Sequence, residues 1–348
     1  MRIAAPGIPQ WFGLVRHSSG LVIASVACGL WACAFSATVN AQSCTIDQTS
    51  SRTNTRIVID LQTGCTPDAQ TTFGAAALYW ADFLYSQVPI SVEANFQPLT
   101  CNATQGTLGS AGPNDFAVNF EGAAASNIYY PIALANSLSG VDLATAFADI
   151  SMAYNNEIGN SGCIEGASWF YDDGTSTSVP ANTFDLYGVI QHELGHGLGV
   201  ISLYRESGIF ASDDPSDPFA GFTDSYSQFL YSETFAQGID ALSAANRAST
   251  FTSESGLTWS GPAVDSLSGT LTTGTTNNNV RMYAPSPYRS GSSVSHFDTA
   301  VEPTDLMEPF KVARSLTHSS GCQGTAIIKS RSARAKRQKV FSRRPDDD

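Results

Sequence analysis

Lysine is missing from residues 42–310 of this sequence, and arginine is scarce there. That part of the chain has 6 arginines against 28 acidic residues, a formal net charge of −22. Nucleic acid and anionic membranes are both repelled by a surface of this charge. The composition therefore argues against these two classes of partner and favours a soluble secreted protein.

Long apolar runs are also missing. The longest run, Leu21 to Phe35, is short for a membrane span, and it precedes Val39-Asn40-Ala41, a pattern of small residues typical of signal-peptide cleavage. Residues 1–41 are therefore predicted to be a secretory signal, with a membrane anchor as the alternative. We expect the mature chain to start at Gln42 and to be a secreted or periplasmic monomer without membrane contact.

Cysteine is infrequent, with 7 in the chain, two of them in the predicted signal. Export places the other five in an oxidising compartment, where cysteines form disulfides. We favour the pairs Cys44 with Cys65 and Cys101 with Cys163, although sequence alone leaves the connectivity open. Cys322 is then left over.

Long periodic segments are few, while Gly, Ser, Thr and Asn are abundant, so many loops are expected. Arg56–Leu61, Ile90–Phe96 and Asp149–Tyr154 are predicted strands, and Thr72–Gln87 is a predicted amphipathic helix. The low-complexity stretch Thr270–Asn279 is predicted to be a loop. This mixture predicts an α+β fold.

Histidine is scarce as well, yet two of the 5 histidines stand four residues apart in the motif HELGH. On a helix, His192 and His196 project from one face, so both imidazoles can bind one metal ion. The pattern is the H-E-x-x-H of zinc sites, in which Glu193 contacts the water on the metal and not the metal itself. The alternative is a pair of histidines on a helix surface.

The segment Phe184–Leu198 is predicted to be a helix on its apolar pattern alone, with Asn182 or Thr183 capping its start. Each glycine inside a helix costs about 1 kcal/mol relative to Ala. Three glycines lie in or just after the last turn: Gly195, Gly197 and Gly199. They indicate close backbone packing at the site and a sharp exit from the helix.

A catalytic zinc needs a third protein ligand. In the extended motif H-E-x-x-H-x-x-G-x-x-H, the third histidine would stand where this chain has Ser202. The remaining candidates are His296, His318 and a carboxylate such as Glu206 or Asp224.

The surroundings of His296 favour it over the other candidates. It stands in SVSHFD, and Met307 follows 11 residues later in LMEP, as in the Met-turn of metzincins. Closing the 100-residue separation from His196 costs about 2–3 kcal/mol more than the usual spacing. Zinc binding can contribute about 10 kcal/mol or more, so this additional cost of loop closure is tolerable.

Taken together, HELGHGLG, the long insertion, SHFD and LMEP resemble the leishmanolysin-type metzincins, and more closely their secreted bacterial relatives. YPIALANSLSG and FDLYGVIQHELGHGLG strengthen the likeness, which runs from about Thr71 to Thr317. The resemblance implies a zinc endopeptidase with one zinc ion per chain and a protein or peptide substrate.

In the same way, the resemblance implies a role for each matching residue. His192, His196 and His296 match the metal ligands, Glu193 the general base and Met307 the Met-turn. It also implies an upper subdomain, with a twisted mixed sheet and the zinc helix, and a loop-rich lower subdomain.

We place the upper subdomain at residues 42–200 and the lower one at residues 201–317. The sequence departs from the family after Thr317, where the net charge of residues 311–348 reaches +7. Residues 318–348 are predicted to be a disordered basic tail, because high charge with little apolar surface does not offset the entropy of ordering.

Three further expectations concern the mechanism. The strand near Asp149–Tyr154 is predicted to be a sheet edge that holds an extended substrate by strand addition. Tyr283 and Tyr288 are candidates for stabilising the oxyanion. Asp213, Asp214 and Asp217 either bind calcium or are exposed loop carboxylates.

Two other functions stay open. The fold could serve a catalytically impaired extracellular protein that binds zinc or a partner, a reading favoured by the atypical tail. The same metal site could also belong to an amidase or another zinc hydrolase. The intact Glu193 favours the endopeptidase.

Overall fold

A computed structural model describes residues 42–211, 221–311 and 313 of the chain. The predicted signal peptide, the predicted tail and the three aspartates considered for calcium lie outside these residues. No helix within the described part is long and apolar enough to cross a membrane.

The described residues up to 200 form most of the regular structure. Its elements are β1 (Cys44–Thr49), β2 (Arg56–Leu61), α1 (Pro67–Ala81), β3 (Ile90–Gln97), β4 (Gly109–Pro113), β5 (Phe116–Ala117), β6 (Ile128–Pro131), α2 (Ile132–Ser139), β7 (Ile150–Asn155), β8 (Ser168–Phe170), β9 (Thr183–Asp185) and α3 (Leu186–Gly197).

A five-stranded mixed sheet with the order β1-β2-β3-β7-β4 lies at the centre. Strands β2, β3 and β7 are parallel, while β1 and β4 run antiparallel at the two edges. Parallel neighbours need a crossover, and α1 supplies the one between β2 and β3. The strands predicted at β2, β3 and β7 are confirmed.

Helix α1 starts and ends earlier than the predicted Thr72–Gln87. The side chain of Thr66 accepts a hydrogen bond from the backbone N–H of Ala69, and Pro67 occupies the first turn. A capping threonine followed by proline is a strong start signal. The apolar residues after Ala81 that suggested a longer helix belong to the irregular connection to β3.

The prediction that the strand near Asp149–Tyr154 is a sheet edge is wrong. Strand β7 pairs with β3 on one side and with β4 on the other, so it is internal. The edge strand on this side of the sheet is β4. Its sequence GSAGP consists of residues that are rare in strands or have no strong strand preference. No side-chain pattern marks it.

The described residues after 200 form short elements: β10 (Thr223–Asp224), β11 (Leu230–Ser232), β12 (Gln237–Gly238), α4 (Ala244–Thr250), β13 (Leu257–Trp259), α5 (Pro262–Ser268), β14 (Thr275–Thr276) and β15 (Asn279–Arg281). Short 3-10 helices cover Ser227–Phe229 and Ile239–Ala241. A second five-stranded sheet has the order β12-β11-β13-β15-β14.

The prediction that the low-complexity stretch Thr270–Asn279 is a loop holds for only part of it. The stretch contains β14 and the turn of the hairpin that β14 forms with β15. Asn277 and Asn278 occupy this turn with φ of 50° and 68°. Two-residue hairpin turns favour left-handed backbone at both positions, and asparagine tolerates it, so the asparagine run encodes the turn.

One hydrophobic core connects the two parts of the chain. It includes Trp80 of α1, Ile150 of β7 and Leu194 of α3 together with Trp259 and Phe297 from the second part. A small three-stranded sheet also spans both parts, because β10 pairs in parallel with β6. The structure is therefore α+β with open sheets.

Two disulfides are present among the described residues, and they are the two predicted pairs. Cys44 on β1 is bonded to Cys65, which lies just before α1. Cys101 is bonded to Cys163, closing a separation of 62 residues that contains β4 and β7. The first bridge links edge strand β1 to the start of α1, and the second links the connection after β3 to the connection after β7.

Candidate metal centre

Helix α3 carries the HELGH motif through the middle of the fold. All twelve of its residues are buried. The indole N–H of Trp80 on α1 donates to the carbonyl oxygen of Gln191 at 3.0 Å, which ties the two helices together beside the motif. The tight surroundings hold the motif residues in place.

The start of α3 differs from the prediction. The helix begins at Leu186, and Asp185 is its N-cap residue, although its side chain makes no capping hydrogen bond. Residues 183–185 form β9, which pairs with β8. Neither Asn182 nor Thr183 caps the helix, because this strand pairing takes up the residues in front of it.

The glycines of α3 pack as closely as predicted. A Cβ on Gly195 would lie 2.7 Å from Sδ of Met307, and one on Gly197 would lie 2.3 Å from a methyl carbon of Ile150. Gly199, just after the helix, has φ of 116°, a backbone conformation that favours glycine. The chain therefore turns sharply away from the helix at that point.

Three imidazoles lie close together at the candidate site. The Nε2 atoms of His192, His196 and His296 lie 3.1–3.2 Å from one another. All three side chains are buried, with at most 8% of each exposed. The histidine favoured as the third ligand is thus brought beside the other two across a separation of 100 residues.

The other nitrogen of each ring faces a backbone carbonyl. Nδ1 of His192 lies 2.8 Å from the Leu306 oxygen, that of His196 2.7 Å from the Val200 oxygen, and that of His296 2.8 Å from the Ser292 oxygen. Since a carbonyl only accepts hydrogen bonds, each Nδ1 carries the proton. The three Nε2 atoms therefore turn lone pairs toward a common centre.

Burial also keeps these rings neutral. Desolvation, followed by repulsion from the neighbouring imidazoles, lowers the pKa of His192 and His296 well below the usual value. Desolvation likewise lowers the pKa of His196. Neutral imidazole is the form that binds metals, and three facing lone pairs repel one another unless a cation lies between them. The cluster can hold a metal ion.

Asp224, an alternative third ligand, has another role. Its buried carboxylate accepts hydrogen bonds from the backbone N–H groups of Leu203, Tyr226 and Ser227. It therefore ties the segment after α3 to the short 3-10 helix at Ser227–Phe229. Within the described residues, neither Asp224 nor Glu206 joins the histidine group, and His318 lies outside those residues.

Met307 lies in a buried turn close to the helix. Its N–H donates to a carboxylate oxygen of Asp305 at 2.9 Å, and its carbonyl accepts from the N–H of Phe297 at 3.0 Å. The Asp305 N–H donates to Glu308 at 2.7 Å, which closes the turn. Because Met307 packs against Gly195, this turn forms the floor beneath α3.

The side chain of Glu193 is not part of the metal cluster and lies against the edge of the central sheet. Its carboxylate lies against Gly109 of β4, where a Cβ would be 2.7 Å from Oε1. Burial raises the pKa of Glu193 to about 8, and the positive charge of Lys311 opposes that rise. A buried carboxyl next to the metal cluster and beside an edge strand is placed to exchange protons there.

The two tyrosines considered for the oxyanion lie near the third histidine in the chain. The backbone N–H of Tyr283 donates to the His296 carbonyl at 2.9 Å, and its ring packs edge-on against Phe310. Tyr288 is partly buried against the core. Within the described residues, neither hydroxyl is hydrogen-bonded to the three imidazoles, so their role stays a prediction.

Sequence reasoning missed Lys311, whose Nζ donates to the Leu306 carbonyl at 3.1 Å. The same carbonyl accepts from Nδ1 of His192, so the ammonium lies behind a ring of the cluster. Lys311 is the first lysine after an acidic body without any, and this isolation is the signal that could have found it.

Comparison with known proteins gives no assignment for this arrangement. No protein-family model matches the chain, and no curated protein or solved structure is significantly similar to it. The likeness to leishmanolysin-type metzincins therefore stays a prediction from the sequence motifs.

Proposed function

We propose that this protein is a secreted zinc-dependent endopeptidase of the metzincin type. The observation that carries the proposal is the convergence of three neutral, carbonyl-oriented imidazoles beside a buried glutamate at a sheet edge. Three protein ligands are the number found in catalytic zinc sites, whereas structural sites use four. Within the described residues, the group that could hold a metal has three members.

Zinc fits the histidine cluster better than a hard cation does. Imidazole suits zinc and other transition metals, while calcium and magnesium prefer oxygen ligands. Nitrogens bound tetrahedrally at about 2.0–2.1 Å from zinc lie about 3.3–3.4 Å apart. The spacing of 3.1–3.2 Å between the Nε2 atoms is close to that value.

Each ligand is also oriented from behind by a backbone carbonyl. This fixes the tautomer and raises the basicity of the metal-facing nitrogen. Bound at these three nitrogens, zinc would supply a Lewis acid that activates water and polarises a substrate carbonyl.

Glu193 is the residue we assign to proton transfer. It follows the ligand His192 directly, yet its carboxylate is directed to the Gly109 side and stays outside the ligand set. A carboxylate there can accept a proton from the attacking water and deliver it to the leaving nitrogen. Its burial strengthens its electrostatic effect on both steps.

An extended polypeptide is the substrate that this site fits best. Strand β4 has a partner, β7, on one side only among the described residues, so its other edge can pair with an added strand. Because Gly109 touches Glu193, a peptide paired with β4 would pass the proton-transfer group. A small amide without an extended backbone would not use this edge, which favours the endopeptidase over the amidase.

The two disulfides and the predicted signal support function outside the cytoplasm. Such bridges form and persist in oxidising compartments. We therefore propose a protein or peptide substrate met in the extracellular or periplasmic space.

The decisive experiment is cleavage of a reduced, denatured protein by the purified chain, with and without a zinc chelator. We expect internal cleavage that the chelator abolishes and added zinc restores. Glu193→Gln should bind zinc normally and lose cleavage. Zinc binding without any cleavage by the wild-type chain would instead favour the non-catalytic binding protein, and absence of zinc binding would overturn both.

A further inference from the structure

We propose that Gly109 is a positioning residue for Glu193, holding the carboxylate in its working place by having no side chain. This inference rests on the proposed function, because it concerns the group assigned to proton transfer. It also makes β4 part of the reaction machinery, in addition to its suggested role as a strand for pairing with substrate.

The contact involves more than the tip of the glutamate. A Cβ built on Gly109 would lie 2.7 Å from Oε1 of Glu193 and 3.0 Å from both its Cδ and its Cγ. Real Cβ atoms essentially never approach another heavy atom more closely than 3.0 Å. Rotating the carboxylate alone would not relieve the overlap, since Cγ is as close as Cδ.

Glu193 has little room for retreat. Only 5% of it is exposed, and it stands on a helix buried along its whole length. Tyr154, which pairs with Gly109 in the sheet, is fully buried and near enough to interact electrostatically with Glu193. A methyl group at position 109 would therefore push the glutamate along the strand edge or force β4 away from α3.

The second glycine of the strand provides a contrast. A Cβ on Gly112 would meet nothing within 4 Å. Side chains alternate along a strand, so positions 109 and 112 face opposite sides of the sheet. Replacing either glycine by alanine changes the backbone freedom of the same edge strand, but only position 109 confronts Glu193.

Glycine at position 109 lets the carboxylate lie directly against the backbone of the strand. Misplacement by about 1 Å can cost two orders of magnitude in rate, because proton transfer needs hydrogen-bond reach. The residue does not touch the metal ligands in the described contacts, so its replacement should affect the reaction and leave the cluster intact.

The test compares Gly109→Ala with Gly112→Ala in the full-length protein. We expect kcat for protein cleavage to be at least ten-fold lower in Gly109→Ala than in Gly112→Ala. The zinc dissociation constants of the two variants should agree within about two-fold. Both substitutions stiffen the edge strand, so any resulting change in KM should be similar in the two variants. Equal kcat values would overturn the proposal.

A second measurement does not depend on activity. The urea midpoints of unfolding are compared for both alanine variants, in the wild-type background and in Glu193→Ala. We expect Gly109→Ala to have the lower midpoint in the wild-type background and this difference to vanish when Glu193 is shortened. A difference in midpoint that persists in the Glu193→Ala background would show that the strain does not come from contact with Glu193. That result would overturn the proposal.

These two measurements separate the possible failures. If the wild-type chain cleaves nothing, the proposed function fails, while the unfolding comparison still decides whether Gly109 and Glu193 are in contact. If cleavage occurs but neither kcat nor the unfolding midpoint distinguishes the two glycines, the proposed function survives and the role of Gly109 is rejected.

Discussion

The backbone N–H of Ser202 donates a hydrogen bond to Oγ of Ser295 at 3.0 Å. Ser202 stands where the short form of the motif would have its third histidine, and Ser295 directly precedes the histidine that joins the cluster. Oγ of Ser202 is also hydrogen-bonded to Oγ of Ser227 at 2.8 Å. Ser202, at the position where the short motif has a histidine, thus anchors the distant segment that supplies His296.

Breaking this anchor should weaken metal binding. Ser295→Ala removes the acceptor of the Ser202 N–H, which we expect to cost about 1 kcal/mol of unfolding free energy. Zinc affinity should fall several-fold, because the segment before His296 is held less firmly. Chelator competition and urea unfolding measure the two effects. Ser292→Ala is the control, since only the backbone carbonyl of Ser292 is used by the site. Equal behaviour of the two variants would mean that the hydrogen bond is unimportant.

Removal of His296 should abolish stable zinc binding. Two imidazoles would remain on α3, and a site with two protein ligands is expected to hold zinc weakly. We expect the metal content of His296→Ala to fall from about one ion per chain to near zero after dialysis. His318→Ala should keep its zinc. Elemental analysis of both proteins decides the assignment, and the reverse pattern would contradict it.

The glycine at position 197 should tolerate no side chain. Gly197→Ala gains about 1 kcal/mol in helix propensity, yet its Cβ would lie 2.3 Å from Ile150 and force the core apart. We expect a net loss of roughly 1–3 kcal/mol in unfolding free energy. Gly74→Ala in α1 is the matched control, because the nearest atom to its Cβ would be Nε2 at the end of the Gln48 side chain, 3.3 Å away, and Ile46 would be at an ordinary contact distance of 3.7 Å. That variant should be neutral or stabilised.

Loss of the positive charge at Lys311 should tighten zinc binding. From the distances to the shared Leu306 carbonyl, Nζ lies within about 6 Å of Nδ1 of His192. An ammonium at this range repels a dication, so Lys311→Met should bind zinc about ten-fold more tightly, while Lys311→Arg should not. Weaker binding by Lys311→Met in chelator competition would show that Lys311 acts by holding the carbonyl.

Stability should depend on pH through Glu308. Its burial raises the pKa from 4.5 to about 7, so between these values the folded protein binds more protons than the unfolded chain. This contribution to stability is complete below pH 4.5 and is lost as the pH rises through 7. Glu308→Gln keeps an acceptor for Asp305 and cannot ionise. We expect urea unfolding to show that the free energy of unfolding of Glu308→Gln rises relative to that of wild type between pH 4.5 and 8. A constant difference would contradict the shifted pKa.

The local pattern of side chains was enough for several elements. Alternation and strand-forming residues located β2, β3 and β7, because each has its signal within six to eight successive residues. The helical spacing of His192 and His196 likewise determined that both rings lie on one face. The glycines of α3 indicated close packing because their low helix propensity needs a compensating reason.

Other features depend on how distant segments meet. Which strand lies at the edge follows from sheet order, and β4 carries no side-chain pattern of its own, so only the fold reveals it. The same holds for Gly109 against Glu193 and for Lys311 behind His192.

The third metal ligand could be predicted from the sequence only in part. The sequence by itself limited the choice to a few residues and favoured His296 through the methionine that follows it. Only the tertiary structure brought that ring within 3.2 Å of the other two. The physical reason is that residue spacing determines geometry along a single helix, whereas a contact across 100 residues is determined by the packing of everything between them.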